Sequence, residues 1–590
     1  MTTLPPEPEY LPPVPVSSVQ RVLSAYERIA EVDRPEIWIT LRSKEDVLVE
    51  AKALDERVRA GESLPLAGLL LAVKDNVDVA GLPTTAGCTA YAYFPEESAV
   101  AVGRLISAGA VVLGKTNLDQ FATGLAGTRS PYGPVRGVPD PEKIAGGSSA
   151  GSAVAVALEL VDIAIGTDTA GSGRVPAAFT GIVGLKPTLG LVPKTGVVPA
   201  SRTYDCVTVF ARTLATAQLA LGEMTGVDDT DPSSRAWPAS VRLGAGEHPR
   251  VAIPDDAALA LLSEGAKRAF TTVVKTLRAA GVAIRTIDLT PFQQAGSLLY
   301  DGALVAERYA SVGEFVAGHQ ADTDPAVAGL ILAAGELKAH ELVADQKRLD
   351  ALKTTVASLL TGLDALLLPT VPEHPTVAEV LADPVGVPRR LGVYANFVNL
   401  LDMAAVAVPA GKADGSPFGV SVVTRAFDDQ VAIDLAGVLT GEQSFSPYPT
   451  TGIDVVVFGA HLRGQPLNNR LIALGARFSG EVVTAGEYRM VALLPESDEA
   501  PTPGIVHVDG FGAALEGERW TISPGGLGLF LTELAAPLTL GPITLAGGGS
   551  ALGVLCDPVA ASDAPDITKF GGWRAYLRHL SIFRSRSEAA

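Results

Sequence analysis

Ile144–Ser152 reads IAGGSSAGS, and what lies on either side of it sets the fold. Paired glycines followed by small residues make a tight turn that opens a helix, read here as Ser152–Leu160. Short apolar runs of strand length flank it, Val111–Leu113 before and Asp162–Gly166 after. A third run, Leu69–Val73, precedes a helix over Ser98–Ala108 for which Ser98 is the expected N-cap. Strands alternating with helices in this way predict an α/β sheet covered on both faces.

Further out, Ser17–Glu31 and Ser43–Ala60 read as capped helices around an extended piece, Trp38–Leu41. Glu45 and Asp46 stand in the first turn of the second helix, where the macrodipole favours them. Glu264–Gly281 and Lys338–Thr361 are longer helices, and Asp364–Leu368 is another strand. Ser444–Gly452 (SFSPYPTTG) is turn-rich and marks a boundary. The expected division is a first domain over residues 1–445, with its core at about 64–210, a linker over 446–453, and a second domain over 454–590. The second has strand-like pieces at Asp454–Phe458, Tyr488–Leu494 and Gly553–Cys556, and its basic end (Arg574, Arg578, Arg584, Arg586) reads as a frayed amphipathic helix.

The chemistry of IAGGSSAGS is open when the stretch is read alone. A phosphate cradle would need G-x-x-x-x-G-K-[ST], which is absent. Gly147–Gly151 fits the G-x-S-x-G elbow, with Ser149 as nucleophile, but an elbow needs a histidine base. The chain has seven histidines, none before His248, leaving His340 and His374 as candidates. A plain glycine–serine turn is the third reading.

Two further stretches narrow this. Gly166–Gly184 reads GTDTAGSGRVPAAFTGIVG, and Val73–Asn76 reads VKDN. Together the three resemble the amidase-signature family across most of Leu64–Phe210. The resemblance implies a large mixed β-sheet flanked by helices and a Ser–Ser–Lys triad. Lys74 would be the general base, Ser148 the proton shuttle on a cis peptide, and Ser172 the nucleophile. The separations, 74 residues from Lys74 to Ser148 and 24 from Ser148 to Ser172, fit that family.

Physical chemistry points the same way. With no histidine in residues 1–247, a serine there needs another base, and burial makes a lysine one by disfavouring its charged form. Lys74 ends an apolar run, as a buried strand end would. Ser148 would pass a proton between Lys74 and Ser172 and later deliver it to the leaving nitrogen. The amides of Thr169, Ala170 and Gly171 would converge on the oxyanion, with Asp168 and Arg174 as internal props of the loop.

Within the family, several stretches are similar to its allophanate-hydrolase branch. Leu118–Gly133 (LDQFATGLAGTRSPYG) carries Gln120 where most amidases have glutamate. Gly124 there is either a plain loop glycine or a backbone contact to substrate. Tyr204–Asp205–Cys206 and Leu299–Tyr309 (LYDGALVAERY) fit the same branch. On one helix Tyr300 and Arg308 would stand about two turns apart and face one cavity. The resemblance implies that both hold the substrate, allophanate, whose carboxylate suits an arginine fork. The alternative for Arg308 is a surface pair with Glu307 or Asp301.

Val457–Leu471 (VFGAHLRGQPLNNRL) resembles the opening of a γ-glutamylcyclotransferase-like fold, and Asp566–Leu577 (DITKFGGWRAYL) the end of the accessory domain found in that branch. The expectation is a smaller α+β domain that handles N-carboxycarbamate, the first product. His461 is either structural there or orients a carboxylate.

The bulk composition restricts partners. A formal net charge of -19 disfavours nucleic acid and anionic membranes. Three cysteines, Cys88, Cys206 and Cys556, are too few for a disulfide framework and favour a reducing compartment. Met1–Tyr10 is proline-rich, unlike a secretory signal. No stretch supplies the ~20 uninterrupted apolar residues of a membrane span. The expectation is a cytoplasmic homodimer without metal, nucleotide or biotin, fed by a separate urea carboxylase or a cyanuric-acid pathway. A general small-molecule amidase and a non-catalytic binding subunit are the other readings.

Overall fold

The computed structural model describes residues 17–442, 448–449, 452–493 and 501–587. Met1–Tyr10, Leu494 and most of Ser444–Gly452 lie outside them.

Eleven strands form one sheet: β1 (Trp38–Leu41), β2 (Leu70–Lys74), β3 (Val111–Thr116), β4 (Ile163–Asp168), β5 (Val183–Lys186), β6 (Cys206–Ala211), β7 (Arg250–Pro254), β8 (Ala283–Ile287), β9 (Ala365–Pro369), β10 (Met403–Ala413) and β11 (Ser416–Arg425). Their order is β1-β3-β2-β4-β6-β5-β10-β11-β9-β7-β8. β2 runs parallel to β3 and β4, whereas β4–β6, β5–β6 and β10–β11 are antiparallel. The fold is therefore mixed α/β, a large sheet flanked by helices. β2 through β6 are buried along their whole length, which is why they read as unbroken apolar or small-residue runs rather than alternating ones. Because β2 and β4 are parallel neighbours, Lys74 and Asp168 end at the same edge of the sheet, where ligand crevices of α/β proteins open.

Several elements differ from expectation. β3 runs on to Thr116 because its polar residues find buried partners: Lys115 pairs with Asp75 at 3.0 Å, and Thr116 Oγ1 meets Ser152 Oγ at 2.7 Å. The helix after IAGGSS is Ala150–Ala157, starting earlier than Ser152. The hydroxyls of Ser149 and Ser152 donate to the Thr167 and Ile165 carbonyls of β4, so this first turn is pinned to the sheet. Ser98 is not an N-cap: the helix is Val100–Ser107, and the Ser98 hydroxyl accepts the Ala80 amide N–H at 2.9 Å instead. The two N-terminal helices, Ser18–Val32 and Lys44–Arg59, are capped by Ser17 and Ser43 as their sequences suggest.

The C-terminal part has its own sheet, β13-β16-β12-β18-β17, from β12 (Ile453–Val457), β13 (Arg477–Val483), β16 (Glu516–Ile522), β17 (Leu538–Thr544) and β18 (Ser550–Cys556). A hairpin of β14 (Tyr488–Leu493) and β15 (Thr502–His507) accompanies it. Val456, Trp520, Leu471 and Phe530 belong to one buried cluster in this part. Arg477 Nη1 donates to both carboxylate oxygens of Asp434 at 2.9 Å, fixing this part to the first. In the boundary stretch Tyr448 is buried. Its hydroxyl sits 2.6 Å from Thr225 Oγ1 and its ring stands edge-on to Trp237. A plain tether would leave that aromatic exposed.

Among the described residues no helix is long and apolar enough to cross a membrane, and no cluster of three metal-ligating side chains occurs.

Candidate active site

The end of β2 carries Lys74 into a fully buried position. Its Nζ lies 2.8 Å from Ser148 Oγ, 2.8 Å from Thr167 Oγ1 and 3.4 Å from the Thr167 carbonyl. A neutral amine has two N–H donors and one lone pair. Donation to both Thr167 oxygens leaves the lone pair for the Ser148 hydroxyl. Burial pushes Lys74 down to about 7, against the opposing pull of Asp119, Asp168 and Asp205. A reaction using Lys74 as base therefore gains rate as pH rises. kcat/KM should climb about tenfold per unit below the Lys74 pKa and level off above it. A flat profile across pH 6 to about 8 in the full chain would remove Lys74 from the base role.

Ser148 follows a cis Gly147–Ser148 peptide. Only glycine fits at 147, since a Cβ there would stand 2.1 Å from Asp119 Oδ2 and 2.5 Å from the Gly127 nitrogen. Ser149 is occupied elsewhere. Its hydroxyl donates to the Thr167 carbonyl at 3.1 Å. Neither candidate elbow histidine contacts it: His374 bonds the Ile144 carbonyl and stacks on Phe179, and His340 lies exposed on the helix Ala339–Leu359. Burial holds His374 down at about 4.

Ser172 is buried in the loop leaving β4, just before the helix Val175–Thr180. The Asp168 carboxylate clasps this loop, accepting the amides of Gly171 at 2.8 Å and Gly173 at 2.9 Å on either side of the serine. Arg174 answers with a bidentate pair to Asp168, both contacts 2.9 Å. Burial alone would raise the Asp168 carboxyl, but the Arg174 guanidinium holds it below the usual carboxylate range. Asp168 and Arg174 thus prop the loop, and the Gly171 amide is committed to Asp168 rather than to an oxyanion. The Thr169 and Ala170 amides have no protein acceptor among the described residues. Gly171 adopts φ +136°, and a Cβ there would meet Ala395 at 2.8 Å.

Tyr300 and Arg308 do not share a helix. Tyr300 lies in the turn after Thr290–Ser297, Gly302 is fully extended, and Arg308 belongs to the helix Ala306–Gly318. They meet nevertheless: Arg308 Nη2 donates to the Tyr300 hydroxyl at 3.3 Å, and Nη1 to Thr123 Oγ1 at 2.8 Å. Arg308 is 2% exposed, its Nε has no partner, and no carboxylate pairs with it among the described residues. Glu307 instead accepts from the Ser201 hydroxyl and the Thr203 amide, and Asp301 pairs with Arg389. Gly124, Arg129 and Tyr300 line a cavity of about 690 Å³.

The sequence reading missed three supports. Thr167 shares Lys74 with Ser148. Thr123 takes Arg308. Asp205, inside the noted Tyr204–Cys206 motif, accepts the Thr169 hydroxyl and the Ala200 and Ser201 amides. Gln120 is structural, bonding the Gly87 and Asp322 carbonyls and the Asp324 amide. In the second part, His461 stands edge-on to Phe530, and burial lowers its pKa, favouring a neutral ring. Nearby Glu518 is fully buried, held by the Arg463 amide, Arg574 and the Trp520 indole. No motif signalled it.

Residues 20–432 match the family model described as amidase, and residues 453–578 match the one described as allophanate hydrolase C-terminal domain. The chain is 37% identical over 594 residues to urea amidolyase of Saccharomyces cerevisiae, an alignment covering 95% of this chain and 32% of that one. It spans about a third of the length of the curated urea amidolyases it matches. A structure of Kluyveromyces lactis allophanate hydrolase superposes with a TM-score of 0.85 at 35% identity, over 96% of this chain and 97% of that chain. The K. lactis urea amidolyase structure gives 0.86 at 35% identity, over 96% and 36%.

Proposed function

Since the chain belongs to the amidase family and carries an allophanate hydrolase C-terminal domain, we propose that it hydrolyses allophanate to ammonia and N-carboxycarbamate. Arg308 carries this reading. A buried guanidinium without a carboxylate partner among the described residues, braced by Tyr300 and Thr123, suits a ligand that brings its own carboxylate. Ser172 Oγ attacks the carbamoyl carbon as its proton passes to Ser148 and the Ser148 proton passes to Lys74. The amides of Thr169 and Ala170 receive the oxyanion. The C–N bond then breaks, and the proton returns through Ser148 to the departing ammonia. Water repeats the sequence on the acyl-enzyme and releases N-carboxycarbamate. Loss of carbon dioxide from that dianion, with uptake of a proton at nitrogen, gives carbamate, which takes up a second proton and decomposes to a second ammonia and more carbon dioxide.

In this reading the protein is a cytoplasmic homodimer whose substrate comes from a urea carboxylase or from cyanuric-acid breakdown. Ammonia release from allophanate, malonamide and a simple aryl amide, compared at equal enzyme, tests the substrate class. Allophanate should be preferred by a wide margin. Faster turnover of either uncharged amide would make the chain a general amidase.

The second part is assigned to the N-carboxycarbamate step. A fragment ending at Thr450 keeps Lys74, Ser148, Ser172, Tyr300 and Arg308 but loses the Arg477–Asp434 contact. Once circular dichroism shows it folded, it should release the first ammonia within about an order of magnitude of the full chain. Carbon dioxide should then lag behind ammonia. Synchronous release would deny the second part that step.

A further inference from the structure

Arg129 is a buried arginine that the mechanism above does not use. It is 8% exposed, and no carboxylate pairs with it among the described residues. Asp119 takes its backbone amide N–H at 2.9 Å rather than its guanidinium. The Nη2 group donates to the Pro384 carbonyl, and Nη1 to the Thr123 carbonyl at 2.8 Å. That second contact matters because of what the Thr123 carbonyl belongs to. It is one half of the Thr123–Gly124 peptide unit, and the other half is the Gly124 N–H. In a planar trans peptide the two point in opposite directions. With the carbonyl turned to Arg129, the N–H faces away from it.

Gly124 lines the cavity in front of Tyr300, and its N–H has no protein acceptor among the described residues. A positive charge on the carbonyl oxygen also polarises the peptide and makes its N–H a better donor. The unit is held from the side as well, since Arg308 Nη1 donates to the Thr123 hydroxyl at 2.8 Å. Two guanidinium groups thus grip one residue, one through its side chain and one through its carbonyl. Side chains are excluded at 124, because a Cβ there would lie 2.5 Å from Asp119 Oδ2.

We infer that Arg129 is a positioning residue for carboxylate recognition: it aims and strengthens the Gly124 N–H as a donor to the carboxylate that Tyr300 and Arg308 also hold. The inference rests on the reading that the substrate carries a carboxylate. Its proper probes are malonamate, which replaces the central N–H of allophanate by CH₂, and malonamide, in which the carboxylate becomes an amide. Binding of both is measured by calorimetry on the full chain carrying Ser172→Ala. Adding Arg129→Ala should weaken malonamate about tenfold, the size of one charge-assisted hydrogen bond, and malonamide less than about twofold. Adding Arg129→Lys instead, which keeps a charged donor for the Thr123 carbonyl, should recover most of the malonamate affinity.

Equal weakening of both probes would make Arg129 a scaffold residue and overturn the inference, as would unchanged malonamate binding by a folded Arg129→Ala protein. Failure of lysine to restore affinity would do the same. Arg308→Lys in the same background separates the two levels. If it too fails to discriminate the probes, the carboxylate reading falls. If it discriminates and Arg129→Ala does not, only the inference about Arg129 falls.

Discussion

Replacing Ser172 by alanine should abolish ammonia release and leave the fold intact. Among the described residues the hydroxyl makes no hydrogen bond that holds the loop. Asp168 does that work through the flanking amides and Arg174. In the proposed mechanism what is lost is the oxygen that forms the acyl-enzyme, and loss of a serine nucleophile costs on the order of 10⁴- to 10⁶-fold in kcat. The neighbouring serines sharpen the test. Ser148→Ala removes the hydroxyl 2.8 Å from Lys74 Nζ and breaks the relay, so its loss should approach that of Ser172→Ala. Ser149→Ala removes a bond to the Thr167 carbonyl, worth about 1 kcal/mol of stability, and should keep much of the activity. Activity measured beside thermal unfolding distinguishes the three variants. If Ser149→Ala were the inactive one and Ser148→Ala the active one, the nucleophile elbow would return and the triad would fall.

The difference between these adjacent serines also shows what was readable from the chain. Ser148 and Ser172 sit in stretches dense with glycine and small residues, because backbone must approach backbone there, and Lys74 ends a continuous apolar run; both patterns are conspicuous. The buried strands were legible for a related reason: two covered faces demand continuous apolar runs. What escaped were single polar residues whose partners are far away in sequence. Thr167, Thr123 and Asp205 look like ordinary polar side chains until the fold brings Lys74, Arg308 and the Thr169–Ser201 segments to them. Ser98 misled because its hydroxyl had a competing use at the Ala80 amide. Tyr300 and Arg308 meet, but not through the geometry that their spacing suggested. Helical spacing put them on one face, whereas the extended Gly302 interrupts the helix and the turn brings the two side chains together.

Arg308→Lys is the second substitution with a large expected effect. Lysine keeps the positive charge, so a loss of activity measures geometry rather than net charge. The guanidinium satisfies Thr123 Oγ1 and the Tyr300 hydroxyl with different nitrogens, which leaves its planar fork in a fixed orientation. An ammonium is a point donor on a flexible stem and cannot serve both oxygens and a carboxylate at once. Disrupting a buried, hydrogen-bonded charge pair costs about 2–5 kcal/mol, roughly thirty- to several-thousand-fold in kcat/KM for allophanate. An uncharged amide such as malonamide never makes the pair, so its slower turnover should change by less than about threefold. Kinetics on both substrates with the same enzyme preparation decide the matter. A parallel fall on the two would mean that Arg308 supports the helix Ala306–Gly318 and its contacts to the Thr123 loop, and that the carboxylate is held elsewhere. A selective fall on allophanate ties the buried guanidinium, which has no carboxylate partner among the described residues, to the one group that distinguishes this substrate from a simple amide.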